Sequence, residues 1–232
     1  ILLINAESES EIEEIEKIAK EKKKIIHIGI RLNPNTDAKT LSQISTGKKE
    51  NKFGVNKKTF IRLVEYCKNS KNLKLKCLSV HIGSQILDHK PYEKMLRIID
   101  GIINKIDYKF DFIDLGGGMG ISYKNNEKKL SYRKYNYAIK KFLRNHDSKI
   151  IFEPGRSIIG NTGTLVTKIT YIKKNSSKDF IILDSGMNDL IRPALYGATH
   201  KILPSIKNQK KSKKTLDFVG PICESTDKFI SL

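Results

Sequence analysis

The stretch FDFIDLGGGMGISY, residues 110–123, joins an apolar run directly to three consecutive glycines. The run FDFIDL (110–115) predicts a buried strand, because a short apolar run bounded by glycine is typical of strands inside a sheet. Four further runs predict strands of the same kind: ILLIN (1–5), IIHIGIRL (25–32), LKCLSVHI (75–82) and KIIFE (149–153).

Amphipathic stretches separate these strands and predict helices near residues 8–22, 56–69, 91–106 and 131–145. Strands that alternate with helices are typical of a parallel sheet covered by those helices. Four strands end in polar or glycine-rich segments, namely RLNPNTDA, HIGSQ, DLGGGMG and FEPGR. Such segments on successive strands favour a (β/α)8 barrel, with its active site at the carboxyl ends of the strands, over a doubly wound sheet with a single crevice. We expect about three more barrel strands before residue 1, in a longer polypeptide.

The alternation of strands and helices stops after residue 156. Three runs predict strands without helices between them: GTLVTKITYIKK (163–174), DFIILDSG (179–186) and KTLDFVGP (214–221). We therefore predict an α/β class of fold with two domains. The first is the C-terminal part of a barrel at residues 1–157, and the second is part of an all-β domain, a sandwich or barrel, at residues 158–232.

The composition argues against several classes of protein. Hydrophobic residues make up 38% of the 232 residues, and no apolar stretch approaches the roughly 20 residues of a membrane span. The three cysteines, Cys67, Cys77 and Cys223, form no C-x-x-C pair, which argues against a disulfide or zinc framework and for the reducing cytoplasm. We therefore expect no metal site and no membrane partner.

The formal charge of +19 raises nucleic-acid binding as an alternative. The excess is mostly lysine spread along the chain, whereas arginine, which makes bidentate phosphate and base contacts, is scarce. The densest cluster, KNQKKSKK (207–214), predicts an exposed loop. We interpret the charge as solvated helix faces and expect no nucleic-acid partner.

The glycines Gly116, Gly117 and Gly118 predict a phosphate site, because glycine lets backbone N–H groups approach an anion closely. The run matches neither the G-x-G-x-x-G fingerprint nor a P-loop. A plain tight turn is the alternative. If the strands before Gly116 and Glu153 are the last two of a barrel, their loops lie where barrels often bind phosphate, which favours the phosphate interpretation.

Three further residues at the carboxyl ends of the predicted strands have side chains suited to binding a cofactor or substrate. The imidazole of His81 can stack on a planar ring, although a lone histidine is more often a core residue. The carboxylate of Glu153 can hold a proton on a heteroaromatic nitrogen. The guanidinium of Arg156 suits a carboxylate or a phosphate, and a structural ion pair between Glu153 and Arg156 is the alternative.

Six segments in collinear order resemble the motifs of the diaminopimelate decarboxylase family: NPNTDAKTLSQISTGKKENKFGV (33–55), VHIGSQ (80–85), DLGGGMGISY (114–123), FEPGRSIIGNTGTLVTKI (152–169), LDSGMNDLIRPALYGATH (183–200) and VGPICEST (219–226). The resemblance implies a pyridoxal 5'-phosphate enzyme of alanine-racemase-like fold. Its implied reaction is the removal of one carboxylate from meso-2,6-diaminopimelate, which gives L-lysine and CO2 in the last step of lysine biosynthesis.

The resemblance also implies which residues bind the cofactor. His81 would stack on the cofactor ring, Glu153 would pair with the pyridine nitrogen, and Gly155 would serve the phosphate. The full implied set is His81, Ser84, Gly116, Gly117, Gly118, Glu153, Pro154, Gly155 and Arg156.

The substrate-binding positions implied by the resemblance are Arg156, Arg192, Tyr196 and Glu224. Cys223 matches the catalytic general acid that returns a proton to the α carbon, and Glu224 matches the group that recognises the distal amino end. A small buried hydrophobe is the alternative for Cys223, but its turn-like setting favours function. In the family these two residues reach the partner subunit's site, so the resemblance implies a head-to-tail homodimer.

Two family residues have no counterpart in this sequence. The Schiff-base lysine would precede residue 1, and the tyrosine that closes on the phosphate would follow residue 232. We expect the chain to be a fragment of a complete enzyme, inactive on its own, or the product of a decaying gene. Decarboxylases of ornithine, arginine or carboxynorspermidine, and a non-catalytic binding partner, are the alternative functions.

Overall fold

The computed structural model describes residues 1–37, 47, 52–124, 126–206 and 215–232. Part of the predicted motif at 33–55 and the whole predicted loop at 207–214 lie outside the described residues. The chain divides into two compact units, Ile1–Ile121 with Lys128–Thr162, and Ser122–Glu127 with Gly163–Leu232.

The first unit alternates strands and helices along the chain: β1 (Ile4–Ala6), α1 (Glu9–Glu21), β2 (Ile26–Arg31), α2 (Lys57–Asn69), β3 (Leu73–Ser79), α3 (Lys90–Ile103), β4 (Phe112–Asp114), α4 (Tyr132–Leu143), β5 (Lys149–Ile151) and α5 (Arg156–Ile159). All neighbouring strands pair in parallel, in the order β1-β2-β3-β4-β5. A doubly wound sheet reverses its strand order at one point, whereas a barrel does not. The predicted α/β class is confirmed, and its strand order is that of a barrel segment.

Local sequence signals explain where the helices begin. The side chains of Ser8, Asn56 and Ser131 each accept a hydrogen bond from a backbone N–H three residues further on, at the start of α1, α2 and α4. Pro91 lies in the first turn of α3, where its missing N–H costs nothing. The helices bury one face each; in α3 that face comprises Tyr92, Met95, Leu96, Ile99 and Ile102.

Backbone hydrogen bonds extend the parallel ladder past the ends of the strands. The N–H of Val80 donates to the carbonyl of Asp114 at 2.8 Å, and the N–H of Glu153 donates to the carbonyl of Gly116 at 2.9 Å. The segments that follow β3, β4 and β5 are therefore held side by side at the carboxyl edge of the sheet, which is the edge where the sequence analysis placed the site.

The described residues of the second unit form a four-stranded sheet and one short helix: β6 (Ile169–Lys173), β7 (Lys178–Leu183), α6 (Arg192–Tyr196), β8 (Thr215–Val219) and β9 (Lys228–Ser231). The β6/β7 and β8/β9 pairs are antiparallel, and the β7/β8 pair is parallel.

The prediction that no helices lie between the strands after residue 156 is wrong, because α6 lies between β7 and β8. The parallel β7/β8 pair needs a crossover connection, and α6 lies within it. Helices of four and five residues are too short to show a helical repeat of apolar positions, so pattern analysis misses them. Within the described residues, no helix is long and apolar enough to cross a membrane.

Candidate active site

A cavity of about 340 Å³ opens at the carboxyl edge of the parallel sheet. This volume lies at the lower end of the range that is usual for small-molecule sites. The residues in its wall that bear on the chemistry are Asn5, Glu7, Arg31, Ser79, His81 and Glu153. The cavity therefore brings together His81 and Glu153, which lie on different strand ends and 72 positions apart in the sequence.

The glycine run lets three strand ends approach one another. A Cβ atom on Gly116 would lie 2.5 Å from Nδ1 of His81, and one on Gly117 would lie 2.1 Å from the carbonyl oxygen of Glu153. Gly116 and Gly118 also have φ angles of +62° and +86°, in the region that favours glycine. Side chains at these positions would push His81 and Glu153 away from the loop.

A backbone hydrogen bond orients the His81 ring, and its surroundings favour the neutral form. The N–H of Gly117 donates to Nδ1 of His81 at 3.1 Å, so Nδ1 is the acceptor and the ring proton of the neutral form lies on Nε2. Burial lowers the pKa of His81, and the positive charge of Arg31 lowers it further. A neutral, flat imidazole in the wall of the cavity is suited to stacking on a planar ring.

Two of the three glycine amides already donate to protein groups. Gly116 donates to Oδ1 of Asp114 at 2.9 Å, and Gly117 donates to His81. Among the described residues, the N–H of Gly118 has no protein acceptor. The first two glycines thus shape the loop and orient the imidazole, and Gly118 has the amide that can serve an anion.

A buried carboxylate that the sequence analysis missed lies beneath the loop. Asp114 is 1% exposed, and its Oδ2 accepts hydrogen bonds from Nδ2 of Asn5 at 2.9 Å and from Oγ of Ser79 at 3.4 Å. The available signal was an acidic residue directly before the glycine run at the end of an apolar strand. Loss of solvation raises the pKa of Glu153, the charge of Asp114 raises it further, and Arg31 opposes both.

Arg31 is a second residue that the sequence analysis missed. It ends β2 and forms an ion pair with Glu7, which follows β1. Glu7 also accepts a hydrogen bond from the N–H of Gly54 at 3.4 Å. The pair places fixed charges of opposite sign in the wall of the cavity. In the sequence, Arg31 was marked only as the first residue of RLNPNTDA, one of the polar segments that end the predicted strands.

Arg156 lies at the start of α5 and donates to Oε1 of Gln85 at 2.8 Å. Gln85 in turn exchanges hydrogen bonds with the backbone of Ile121, at 2.6 and 3.2 Å. Within the described part of the chain, Glu153 and Arg156 form no ion pair with each other. The guanidinium is therefore held by the segment after β3.

The remaining predicted residues of the first unit lie in the segments that follow β3 and β5. Ser84 is half-buried and precedes Gln85 in the segment after β3. Pro154 and Gly155 are exposed, and Gly155 is the N-terminal cap of α5. A Cβ atom on Gly155 would meet no atom within 4 Å, so this glycine is not required by packing within the described residues.

The second unit holds the other predicted residues in two groups. Arg192 and Tyr196 lie four positions apart on α6, and Arg192 donates to the hydroxyl of Tyr123 at 2.9 Å with its guanidinium over the same ring. Cys223 and Glu224 are exposed neighbours in the turn between β8 and β9. The sequence analysis missed Tyr123, which has no local signal beyond its place after the glycine run.

The three cysteines differ in exposure. Cys67 and Cys77 are buried, which raises the pKa of each thiol to about 12, and Cys223 is exposed. The two buried cysteines therefore serve packing. Within the described residues, no group of three or more His, Cys, Asp or Glu side chains could hold a metal ion.

Comparison with known proteins gives consistent matches along the chain. Residues 1–160 match the family described as "Pyridoxal-dependent decarboxylase, pyridoxal binding domain". Over 236 aligned residues the chain is 42% identical to a diaminopimelate decarboxylase of Aquifex aeolicus, covering 100% of this chain and 56% of that protein. It is also 42% identical to the Helicobacter pylori diaminopimelate decarboxylase, covering 99% of this chain and 57% of that one.

Solved structures give the same relationship. The crystal structure of the Helicobacter pylori diaminopimelate decarboxylase complexed with L-lysine matches with a TM-score of 0.92 and 42% identity, covering 100% of this chain and 59% of that one. A lysine/ornithine decarboxylase of Vibrio vulnificus, complexed with cadaverine, matches with a TM-score of 0.78 at 19% identity, which is a likeness of fold alone. The chain thus spans 56–59% of the length of the diaminopimelate decarboxylases that it matches here.

Proposed function

The chain belongs to the pyridoxal-dependent decarboxylases, and we propose that it forms part of an enzyme that decarboxylates meso-2,6-diaminopimelate to L-lysine and CO2. The observation that carries this proposal is the meeting of a neutral His81 ring and the Glu153 carboxylate at the glycine loop, in a chain similar throughout to diaminopimelate decarboxylases. The proposed cytoplasmic location rests on the cysteine usage and on the biosynthetic reaction.

The residues of the cavity fit pyridoxal phosphate. His81 presents a flat neutral face to a planar ring, and Glu153, with its raised pKa, is a basic acceptor for the proton of a ring nitrogen. The amide of Gly118 and the hydroxyl of Ser84 are donors for a phosphate. When bound, the cofactor withdraws electrons from the α carbon of the substrate and so stabilises the charge left by departing CO2.

The substrate carries a carboxylate and an ammonium group at each end, so its recognition requires both signs of charge. We assign Arg156 and Arg192 to carboxylates, Tyr196 to the substrate and Glu224 to the distal ammonium. Cys223 then donates the proton that replaces CO2 on the α carbon. Its exposure in a turn supports this role over packing, the role that the buried Cys67 and Cys77 have.

The Schiff-base lysine is assigned to a longer polypeptide. The described residues that line the cavity include no lysine, and the matched relatives are longer than this chain. We propose that the rest of the polypeptide supplies this lysine, the tyrosine that closes on the phosphate and the remaining barrel strands. We propose further that the cofactor domain ends at residue 157 and that two copies form a head-to-tail dimer.

Lysine production by the full-length protein tests the proposal. With pyridoxal phosphate and meso-2,6-diaminopimelate, we expect L-lysine and CO2 in equal amounts. Cys223→Ala should slow lysine formation roughly 100-fold or more, the usual contribution of a general acid, with unchanged cofactor absorbance. Cys67→Ala is the matched control, because its thiol is buried in the core. Equal rates for Cys223→Ala and the parent protein would remove Cys223 from the mechanism, and absence of lysine would refute the reaction.

A further inference from the structure

Asp227 is a buried carboxylate beside the exposed turn that carries Cys223 and Glu224; its side chain is 3% exposed. Its Oδ1 accepts the N–H of Met187 at 2.7 Å, and its Oδ2 accepts the N–H of Ile222 at 2.8 Å. The proposed reaction uses Asp227 for neither binding nor proton transfer. The carboxylate instead ties the turn to the segment after β7.

The backbone of Asp227 closes the same turn. Its N–H donates to the carbonyl of Glu224 at 3.0 Å, and its carbonyl accepts the N–H of Gly220 at 3.0 Å. A Cβ atom on Gly220 would lie 2.3 Å from Oδ2 of Asp227, and one on Gly186 would lie 3.3 Å from the same atom. Glycines on both sides therefore let two backbone segments close around one carboxylate.

Asp217, on β8, shows that burial of a carboxylate in this unit can serve a different purpose. It is 2% exposed, and its partners are the side chains of Lys178, Lys228 and Ser231. Those partners join neighbouring strands of the sheet. The side chain of Asp227 instead accepts hydrogen bonds from backbone N–H groups of two loops, so its charge orders loop conformation.

We propose that Asp227 is a positioning residue that sets where Cys223 and Glu224 stand, by anchoring the turn at residues 220–226 to the backbone of Met187. The inference rests on the proposed function for the roles of Cys223 and Glu224, and on the contacts above for the anchoring. Removal of one acceptor oxygen leaves one of the two N–H groups without its partner, so the turn loses its fixed conformation while the sheet is kept.

The test compares Asp227→Asn with Asp217→Asn in the full-length protein. An asparagine keeps the size of the side chain and loses one acceptor. We expect Asp227→Asn to lower kcat for lysine formation about tenfold or more, because a hydrogen bond to a charged group is lost. Cofactor affinity should be unchanged. Asp217→Asn should lower the stability of the protein and leave kcat unchanged.

Alkylation of Cys223 by iodoacetamide gives a readout that needs no activity. Mass spectrometry of the tryptic peptide 215–228 follows Cys223, and the buried Cys67 and Cys77 are internal references. We expect the alkylation rate of Cys223 to change at least about threefold in Asp227→Asn, because the turn that carries the thiol loses one of its two tethers, and to stay at the parent value in Asp217→Asn.

Gly220→Ala supplies a second perturbation, since its Cβ displaces the same carboxylate without removing it. Gly220→Ala should change kcat and the alkylation rate of Cys223 in the same direction as Asp227→Asn. If Asp227→Asn does not fold, Gly220→Ala alone tests the anchoring of the turn. The proposal is overturned if both variants keep the alkylation rate and kcat of the parent protein. A parent protein without decarboxylase activity would refute the proposed function alone, because alkylation would still report the anchoring.

Discussion

Replacing Gly117 by alanine is the sharpest perturbation of the glycine loop. The new Cβ would lie 2.1 Å from the carbonyl oxygen of Glu153, and real Cβ atoms essentially never approach closer than 3.0 Å. The two atoms must therefore separate by at least about 0.9 Å. The obstacle is backbone, so no side-chain rotation relieves the contact, and the loop and the end of β5 must move apart.

The cost has two parts. Overpacking of this kind costs about 1–3 kcal/mol of stability. The movement also displaces the hydrogen bond from the N–H of Glu153 to the carbonyl of Gly116, and the bond from the N–H of Gly117 to His81. If displacement of the loop removes one hydrogen bond to an anionic phosphate, about 1.5–3 kcal/mol of binding is lost, which is roughly a 10- to 100-fold weaker cofactor affinity.

The assay is a titration of the full-length apoprotein with pyridoxal phosphate, followed by absorbance, with urea unfolding measured alongside. Gly101→Ala is the matched control, because a Cβ on Gly101 meets no atom within 4 Å and the residue lies inside α3. We expect that control to bind cofactor normally and to gain up to about 1 kcal/mol of stability. Parent-like affinity and stability in Gly117→Ala would refute the account of the loop.

Three further outcomes follow from the geometry. Glu153→Gln should slow lysine formation roughly 100-fold with cofactor still bound, and an unchanged rate would remove Glu153 from the ring-nitrogen role. Because the pKa of His81 is lowered in the folded state, the folded protein binds fewer protons than the unfolded protein, whose histidine titrates near 6.5. The free energy of unfolding should therefore fall as the pH drops below about 6.5. Urea unfolding of His81→Gln should show a weaker dependence on pH in this range. Tyr123→Phe should raise KM for the substrate about 3- to 10-fold by freeing Arg192, at constant cofactor affinity, whereas a constant KM would contradict the contact's importance.

Local sequence signals predict much of the first unit. Three local signals indicate the bounds of the helices and strands: the capping residues, the position of Pro91 and the apolar runs. Each signal acts within one turn or one strand, so it can be recognised without knowledge of the rest of the fold. The rim chemistry was predictable for the same reason: in a parallel sheet, the carboxyl ends of all strands meet at one edge. His81 and Glu153 follow from that rule alone.

The supporting residues were not predictable, because their contacts join distant parts of the chain. Asn5 and Asp114 are 109 positions apart, and nothing near either residue indicates the other. Asp227 similarly reaches Met187 across 40 positions. The position of α6 depends on the crossover connection between β7 and β8. With five residues, the helix is too short to show a periodic pattern of apolar positions.

The β6 strand of the second unit is exposed along its whole length. Every residue of Ile169–Lys173 is exposed, including Tyr171 and Ile172. An isolated apolar face of this kind is consistent with the proposed head-to-tail dimer or with the remainder of the polypeptide. A sequence pattern shows that such a strand is apolar, but it does not identify the surface that covers the strand.

The most direct test of the central claim is a side-by-side measurement of kcat/KM for meso-2,6-diaminopimelate and ornithine, with the full-length protein loaded with pyridoxal phosphate. We expect efficient release of CO2 from diaminopimelate, with L-lysine formed in equal amount, and a far lower kcat/KM for ornithine. Efficient decarboxylation of ornithine without turnover of diaminopimelate would contradict the proposed function.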